Sequence, residues 1–316
     1  MIIFGTSCLG NLYREIPFET KVQIAAEWFK AYDKPFIDSA GKYGAGLSLE
    51  CIGKALKALG KKPGDLTISV KLGWRRAPLV GDEPTFEPGA WKGLKYDAVQ
   101  DISYEGILRC YEEAKELLGG YPIDYVSVHD PDEYLGNVDG HVEVERWRDI
   151  VGAYQALGEL KARGEVRAVG VGSKDWRVIQ KIAAEVKLDW AMFACAPTLL
   201  KHPPELLQFV RELKAKGVYL IDSAVFNGGF LLGSDILDYK QVDANKDAVA
   251  LRFREKYLAL CKEWNYDPAA PAVEYAFNLG FDAVALNTSK PQNILKNAAY
   301  GDFHADPRFT SSLLAL

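Results

Sequence analysis

A charged amphipathic stretch, a glycine and then a short apolar run rich in β-branched residues recur five times along the chain. Lys54 to Leu59 ends at Gly60 before Leu66 to Lys71, and Glu112 to Leu118 ends at Gly119-Gly120 before Ile123 to His129. Glu159 to Arg163 ends at Gly164 before Val166 to Val171, Leu206 to Lys216 at Gly217 before Val218 to Ile221, and Val273 to Leu279 at Gly280 before Ala283 to Leu286. Each glycine stands where a helix would end on a left-handed residue, a conformation that glycine alone adopts without steric cost. Each apolar run then reads as a buried strand. Ile2 to Phe4, Phe36-Ile37 and Trp190 to Phe193 bring the strand candidates to eight. Strands alternating with helices predict a parallel sheet, because parallel neighbours need a crossover. Eight such units predict an α/β fold, a (β/α)8 barrel of the TIM type forming one domain over residues 1–316.

The rival is an open doubly wound sheet, which would bind a dinucleotide at a glycine-rich first turn. Here the first strand leads into Gly5-Thr6-Ser7-Cys8-Leu9-Gly10, and Gly170-Val171-Gly172 is followed by Asp175 where a third glycine belongs. No GxxxxGK[ST] phosphate loop and no GxSxG nucleophile elbow occurs. Two long connections, 72–97 and 223–247, follow predicted strands. In a barrel they belong at the C-terminal rim, where active sites lie.

Composition narrows the class without changing the fold. Forty-eight per cent apolar and 26% charged residues describe a globule rather than a disordered chain. The net charge of −5 includes no basic tract, which argues against nucleic acid, and no apolar run reaches membrane-spanning length. The five cysteines form no CxxC pair and read as reduced thiols, and no signal-peptide pattern is seen, so a cytoplasmic location is expected. The four histidines make no HxH or HExxH pattern, so no metal is expected.

Three predicted strands end in ionisable residues, Asp38, Lys71 and His129, and Tyr43 lies five residues past Asp38. In a barrel all four reach one rim. A tyrosine holds its proton too tightly at neutral pH for acid–base work unless a cation favours the phenolate. Lys71 is the candidate cation, Asp38 its partner, and His129 the group that orients a reacting oxygen. Such a tyrosine gives a proton to a carbonyl being reduced or takes one from a hydroxyl being oxidised. No side chain supplies hydride, so a nicotinamide cofactor is implied. Trp74 and Trp91 offer flat rings for a cyclic substrate, and Arg75 and Arg76 raise an anionic one.

Asp38, Tyr43, Lys71 and His129 match, in order and spacing, the tetrad of the aldo-keto reductases, which the chain resembles from Gly5-Thr6 to Asn297. Leu9-Gly10-Asn11-Leu12-Tyr13, Tyr43-Gly44-Ala45-Gly46-Leu47-Ser48, His129-Asp130-Pro131-Asp132 and Val225-Phe226-Asn227-Gly228-Gly229 resemble its D-threo-aldose 1-dehydrogenase (L-fucose dehydrogenase) branch. The resemblance implies an oxidoreductase that oxidises the anomeric carbon of a free aldose to a lactone with NAD or NADP. It also implies cofactor contacts at Thr6, Ser173, Ser223, Phe226, Asn227, Asn287, Thr288, Ser289 and Asn297, substrate contacts at Trp74 and Asp130, and a monomer or small homo-oligomer. Lys174 stands where an asparagine usually follows the serine of strand five, Cys195-Ala196-Pro197-Thr198 replaces the glutamine of strand six, and no aromatic directly follows strand seven. Ser289 aligns with the arginine that grips the 2′-phosphate of NADP, which favours NAD, with Lys290 beside it as a substitute cation. The alternatives are an NADPH-dependent reductase of small aldehydes or ketones, a lyase using Lys71 as a Schiff-base amine, and a nicotinamide-binding regulatory barrel.

Overall fold

All eight expected strands form: β1 (Ile2–Gly5), β2 (Phe36–Ala40), β3 (Thr67–Leu72), β4 (Tyr125–His129), β5 (Ala168–Ser173), β6 (Trp190–Ala194), β7 (Tyr219–Ser223) and β8 (Ala283–Asn287). They pair in chain order around a closed barrel, and β1 returns to β8. The printed registers are parallel, as at Ala40 with Lys71, Lys71 with Ser127 and Val284 with Asp222. This computed structural model describes residues 1–136, 138 and 140–316. The helices are α1 (Phe18–Ala31), α2 (Leu47–Ala58), α3 (Tyr104–Leu117), α4 (Pro131–Leu135), α5 (Gly140–Ala162), α6 (Trp176–Glu185), α7 (Pro204–Ala215), α8 (Ala248–Glu263), α9 (Ala269–Asn278), α10 (Asn293–Ala299) and α11 (Pro307–Leu314). Among the described residues no helix is long and apolar enough to cross a membrane.

The glycine punctuation works as its chemistry dictates. Gly60, Gly119, Gly164, Gly217 and Gly280 all have φ between +65° and +95° at helix ends. Four of the five strands after them begin one or two residues later than the apolar runs suggest, β8 begins at Ala283 as expected, and three aspartates tie down strand starts. Asp124, just before β4, accepts a hydrogen bond from Ile68 N near the start of β3 at 3.0 Å. Asp189 does the same for Val169 N of β5, and Asp282 for Leu220 N of β7, each at 2.8 Å. Each carboxylate satisfies a backbone donor that the ladder leaves open. Asp175, which stands where a nucleotide-binding loop would need its third glycine, caps α6 by accepting from Arg177 N at 2.9 Å.

Two compact units can be distinguished. One comprises Ile3–Ala191 and Leu286–Lys296, the other Met1–Ile2, Met192–Ala285 and Asn297–Leu316. In the first, connection 72–97 is no open loop: Trp74–Pro78 and Tyr96–Gln100 form an antiparallel ribbon. Phe86, Trp91, Ala45 and Ala98 make a small core against Tyr43, Trp74 and Leu12. In the second, connection 223–247 holds a 3-10 turn at Phe230–Leu232 and a ribbon of Ile236–Leu237 with Lys240–Gln241. Phe230, Leu231, Tyr257 and Phe309 form the apolar cluster there.

Candidate active site

Strand register decides which residues share a face. Asp38 lies beside Ser69, Ala40 beside Lys71, Lys71 beside Ser127, and His129 beside Gly172. Side chains alternate along a strand, so Asp38, Ser69, Lys71, Ser127, His129, Gly170 and Gly172 all lie on one face of the sheet. Only His129 is the last residue of its strand. β2 runs on to Ala40 and β3 to Leu72, so Asp38 lies two residues before its strand end rather than at it. It reaches Lys71 by pairing carboxylate to ammonium one step up the neighbouring strand.

Gly172 makes that pairing sterically feasible. A Cβ on Gly172 would sit 3.0 Å from Lys71 Cδ, and one on Gly170 would sit 2.3 Å from the ring of Trp190. Within the Gly-Val-Gly of β5, without function in the nucleotide-loop reading, Gly172 clears space for the lysine stem and Gly170 for the Trp190 ring. Tyr43 is placed by an equally close contact. A Cβ on Gly10 would lie 2.6 Å from the Tyr43 carbonyl carbon, and one on Gly44 would lie 2.3 Å from Gly10 O. Tyr43 N donates to Ala40 O at 3.2 Å, closing the turn on the end of β2.

The four tetrad residues therefore meet. Lys71 Nζ is 4.8 Å from the Tyr43 ring centre, and the rings of Tyr43 and His129 lie 5.6 Å apart, edge to face. Asp38, Lys71 and His129 are at most 4% exposed. Burial works against the Lys71 ammonium, but Asp38 and Tyr43 outweigh it and hold the lysine above its usual range. Burial, with Lys71 and Lys42 nearby, drives His129 well below the ordinary histidine range, so the imidazole is uncharged at neutral pH. Tyr43 departs from expectation: burial, reinforced by the Asp38 charge, raises the phenol despite Lys71. The lysine limits the rise rather than producing a phenolate. Oxygen Oδ1 of Asp38 and Nδ1 of His129 are buried without protein partners.

The surrounding residues are largely committed to one another. Trp74 is partly exposed and its indole nitrogen has no partner, whereas Trp91 is buried, stacked with Phe86 and donating to Glu87 at 2.8 Å. Trp91 thus builds the wall rather than offering a free ring face. Arg75 pairs with Asp101 at 2.7 Å and Arg76 with Glu50 at 2.6 Å, which removes the ground for an anionic substrate. Asp130 is buried and bound by Lys174 at 3.0 Å.

Of the expected cofactor positions in the first unit, Thr6 is fully buried and donates to Asp38 O at 2.8 Å. Ser173 donates to Asp132 Oδ1 at 2.5 Å. Burial and the Asp130 charge raise Asp132 to about 6. Asn287 is exposed, with Oδ1 accepting from Cys8 N at 3.3 Å; Thr288 Oγ1 accepts from Lys290 N at 3.2 Å. The Arg14 guanidinium donates to the Ser289 hydroxyl. In the second unit, Ser223 donates to Phe193 O at 2.8 Å, and Phe226 packs on the Phe230 cluster. Asn227 is fully buried and donates to Asp238 at 2.9 Å, and Asn297 is a partly exposed residue of α10.

A family model described as the aldo/keto reductase family matches residues 1–314. The chain belongs to the aldo/keto reductase family. It is an oxidoreductase. It is 26% identical to a pyridoxal 4-dehydrogenase from Microbacterium luteolum over 98% of this chain and 91% of that protein. It is 28% identical to a D-threo-aldose 1-dehydrogenase from a Pseudomonas species over 94% and 88%. The glycerol dehydrogenase structure from Gluconobacter oxydans superposes with a TM-score of 0.71 at 16% identity, covering 99% and 89% of the two chains, a likeness of fold.

Set among aldo/keto reductases, the feature that sequence reasoning missed is a chain of charges beside the tetrad. Lys42 Nζ lies 2.6 Å from Glu133, 2.8 Å from Glu87 and 3.6 Å from Asp130. Lys174 bridges Glu133 and Asp130 from the other side. The only signal in sequence was a lysine between Gly41 and Tyr43, in a turn the barrel had to bury.

Proposed function

We propose that this enzyme oxidises the hemiacetal carbon of a small cyclic substrate, a free aldose of the L-fucose or D-threo type foremost, to a lactone with NAD or NADP. The observation that carries this reading is the buried Lys71–Asp38 pair set against Tyr43 and an uncharged His129. Pyridoxal, which closes on itself as a hemiacetal, is chemically the same kind of substrate as a sugar ring, so the two relatives point to one reaction class.

The unpartnered Nδ1 of His129 and Nε1 of Trp74 are buried polar atoms that a bound group would satisfy, which suits a polar ligand there. Ser173, Asn287, Thr288 and Ser289 would hold a nicotinamide cofactor in the first unit. When bound, that cofactor supplies the hydride acceptor. In the oxidising direction Tyr43 acts once deprotonated: Lys71 stabilises the phenolate, which takes the proton of the anomeric hydroxyl and becomes a neutral phenol. Asp38 holds the lysine charged and in place. His129, neutral, hydrogen-bonds the reacting oxygen and orients it. Arg14 brings a guanidinium to Ser289, so the missing arginine no longer gives an electrostatic ground for preferring NAD.

The raised Tyr43 phenol favours a second reading, NADPH-dependent reduction of small aldehydes or ketones, because a protonated phenol is the form that donates to a carbonyl. The Schiff-base reading loses support, since an ammonium held charged by Asp38 is a poor nucleophile. We propose one catalytic barrel over 1–316, acting on a small molecule in the cytoplasm. A scan of free aldoses and pyridoxal with NAD and NADP, followed at the absorbance of the reduced cofactor, tests the reading. Turnover that Tyr43→Phe abolishes supports it; turnover that survives in Tyr43→Phe refutes the acid–base assignment.

A further inference from the structure

Lys42 is an unusual residue for its place. Its side chain is 3% exposed, yet it carries a charge whose partners come from three parts of the chain. Glu87 belongs to the connection between the strands of the 74–100 ribbon, Asp130 to the turn after β4, and Glu133 to α4. The ammonium also lies 4.9 Å from the centre of the Trp74 ring. Glu87 in turn accepts from Trp91 Nε1, and the Trp91 ring lies 6.1 Å from that of Tyr43. One buried cation thus ties the connection that packs on the catalytic phenol to the segment that follows the catalytic imidazole.

Two physical consequences follow from the arrangement. First, Lys174 still pairs with Asp130 and Glu133 when Lys42 is removed, whereas the partly exposed Glu87 loses the cation that ties it to them, so the segment around Glu87 is released toward water. Second, the groups facing His129 are Lys71 from β3, Lys42 from the turn after β2, Lys174 after β5, Glu133 from α4, and Asp130 with Oδ2 3.8 Å from Nε2. The Tyr43 ring closes its remaining side. Lys42 both repels a proton from the imidazole and neutralises the carboxylates that would attract one.

We propose that Lys42 is a positioning residue for the reaction, latching the 79–95 segment to the turn after β4 and so fixing the Tyr43 wall while keeping His129 a neutral hydrogen-bonding group. The proposal rests on the functional reading above for its effect on turnover, but its structural half stands apart from any substrate.

The test uses the intact protein and the variants Lys42→Met, Lys42→Arg and Glu87→Gln. Trypsin probes the 79–95 segment through Lys92 and Lys95, and nitrogen-15 histidine labelling follows the titration of His129. In Lys42→Met, cleavage in that segment speeds up by about tenfold or more, and the His129 midpoint moves to higher pH. Lys42→Arg restores both toward the native values, because charge rather than shape is needed. Glu87→Gln speeds cleavage and leaves the His129 midpoint unchanged, since the cation stays beside Asp130 and Glu133. Turnover in Lys42→Met falls in kcat more than it changes KM, with its acid limb displaced upward. An unmoved His129 midpoint together with unchanged cleavage in Lys42→Met overturns the proposal. Should Lys42→Met not fold, unchanged cleavage in Glu87→Gln overturns it equally. Cleavage and titration need no turnover, so an inactive native enzyme across the hemiacetal and carbonyl panel would refute the functional reading and leave this one standing.

Discussion

Asp38 and Asp222 are the same residue in comparable surroundings, one on β2 and one on β7, 3% and 0% exposed, each with a carboxylate oxygen lacking any protein partner. Their chemistry differs because one has an ammonium beside it. Asp38 pairs with Lys71, and the pair carries charge into the candidate site. Among the described residues no cation pairs with Asp222, and burial, only partly offset by the Ser223 backbone, raises it well above the usual carboxyl range, so it folds as a neutral acid. Burial alone makes a carboxyl inert; burial with a cation makes it a device for keeping that cation charged.

The comparison breaks most visibly when Asp38 is made to resemble Asp222. Lys71→Met strands Asp38 without its cation, and activity is expected to fall by about a thousandfold or more while the fold loses about 3–5 kcal/mol. Urea denaturation and steady-state kinetics check both, and a variant retaining native stability would show that the pair adds nothing to the fold. Asp38→Asn keeps shape and removes charge. Here kcat is expected to fall about a hundredfold, and the pH dependence to shift as Lys71 loses the partner that offsets its burial.

Asp222→Asn sharpens the comparison from the other side. A carboxyl raised in the folded state binds its proton more tightly there than when unfolded. Its contribution to stability is therefore full below about pH 4 and lost as pH rises toward the folded value. The asparagine variant lacks that loss, so it is expected to exceed the native protein by about 1–2 kcal/mol at pH 8 and by much less at pH 4. Activity should stay within about twofold, and denaturation at the two pH values decides. The smallest effect on stability belongs to Gly172→Ala, whose added carbon meets Lys71 Cδ at 3.0 Å. A fall of about fivefold in kcat with a stability change under about 1 kcal/mol is expected; unchanged kcat would show that the lysine stem has room to spare.

The fold was legible because its signals are local. A glycine that ends a helix and the β-branched run after it lie within a few residues of each other, so Gly164 and Val166 to Val171 announce β5 without help from distant parts of the chain. The tetrad was legible for a related reason: each member lies at or near a strand end, and the barrel brings strand ends together. What stayed hidden depends on pairs far apart in sequence. Lys42, Glu87 and Glu133 belong to no sequence motif, Lys174 stands out only as the replacement of an asparagine after strand five, and only the fold makes them one network. Nor could periodicity show that Asp222 faces no cation while Asp38 does, because both sit in similar apolar runs. The direction of the Tyr43 shift was misjudged because residue types reveal the neighbouring lysine but not how thoroughly the phenol would be removed from water.

The three aspartates that precede β4, β6 and β8 carry one more implication. Each fastens the beginning of the strand before it, at that strand's N-terminal end. Anchorage and reactivity are therefore lodged at opposite poles of each strand, which leaves the connections at the reactive pole free to be exchanged for new specificity while the anchors keep the scaffold in register.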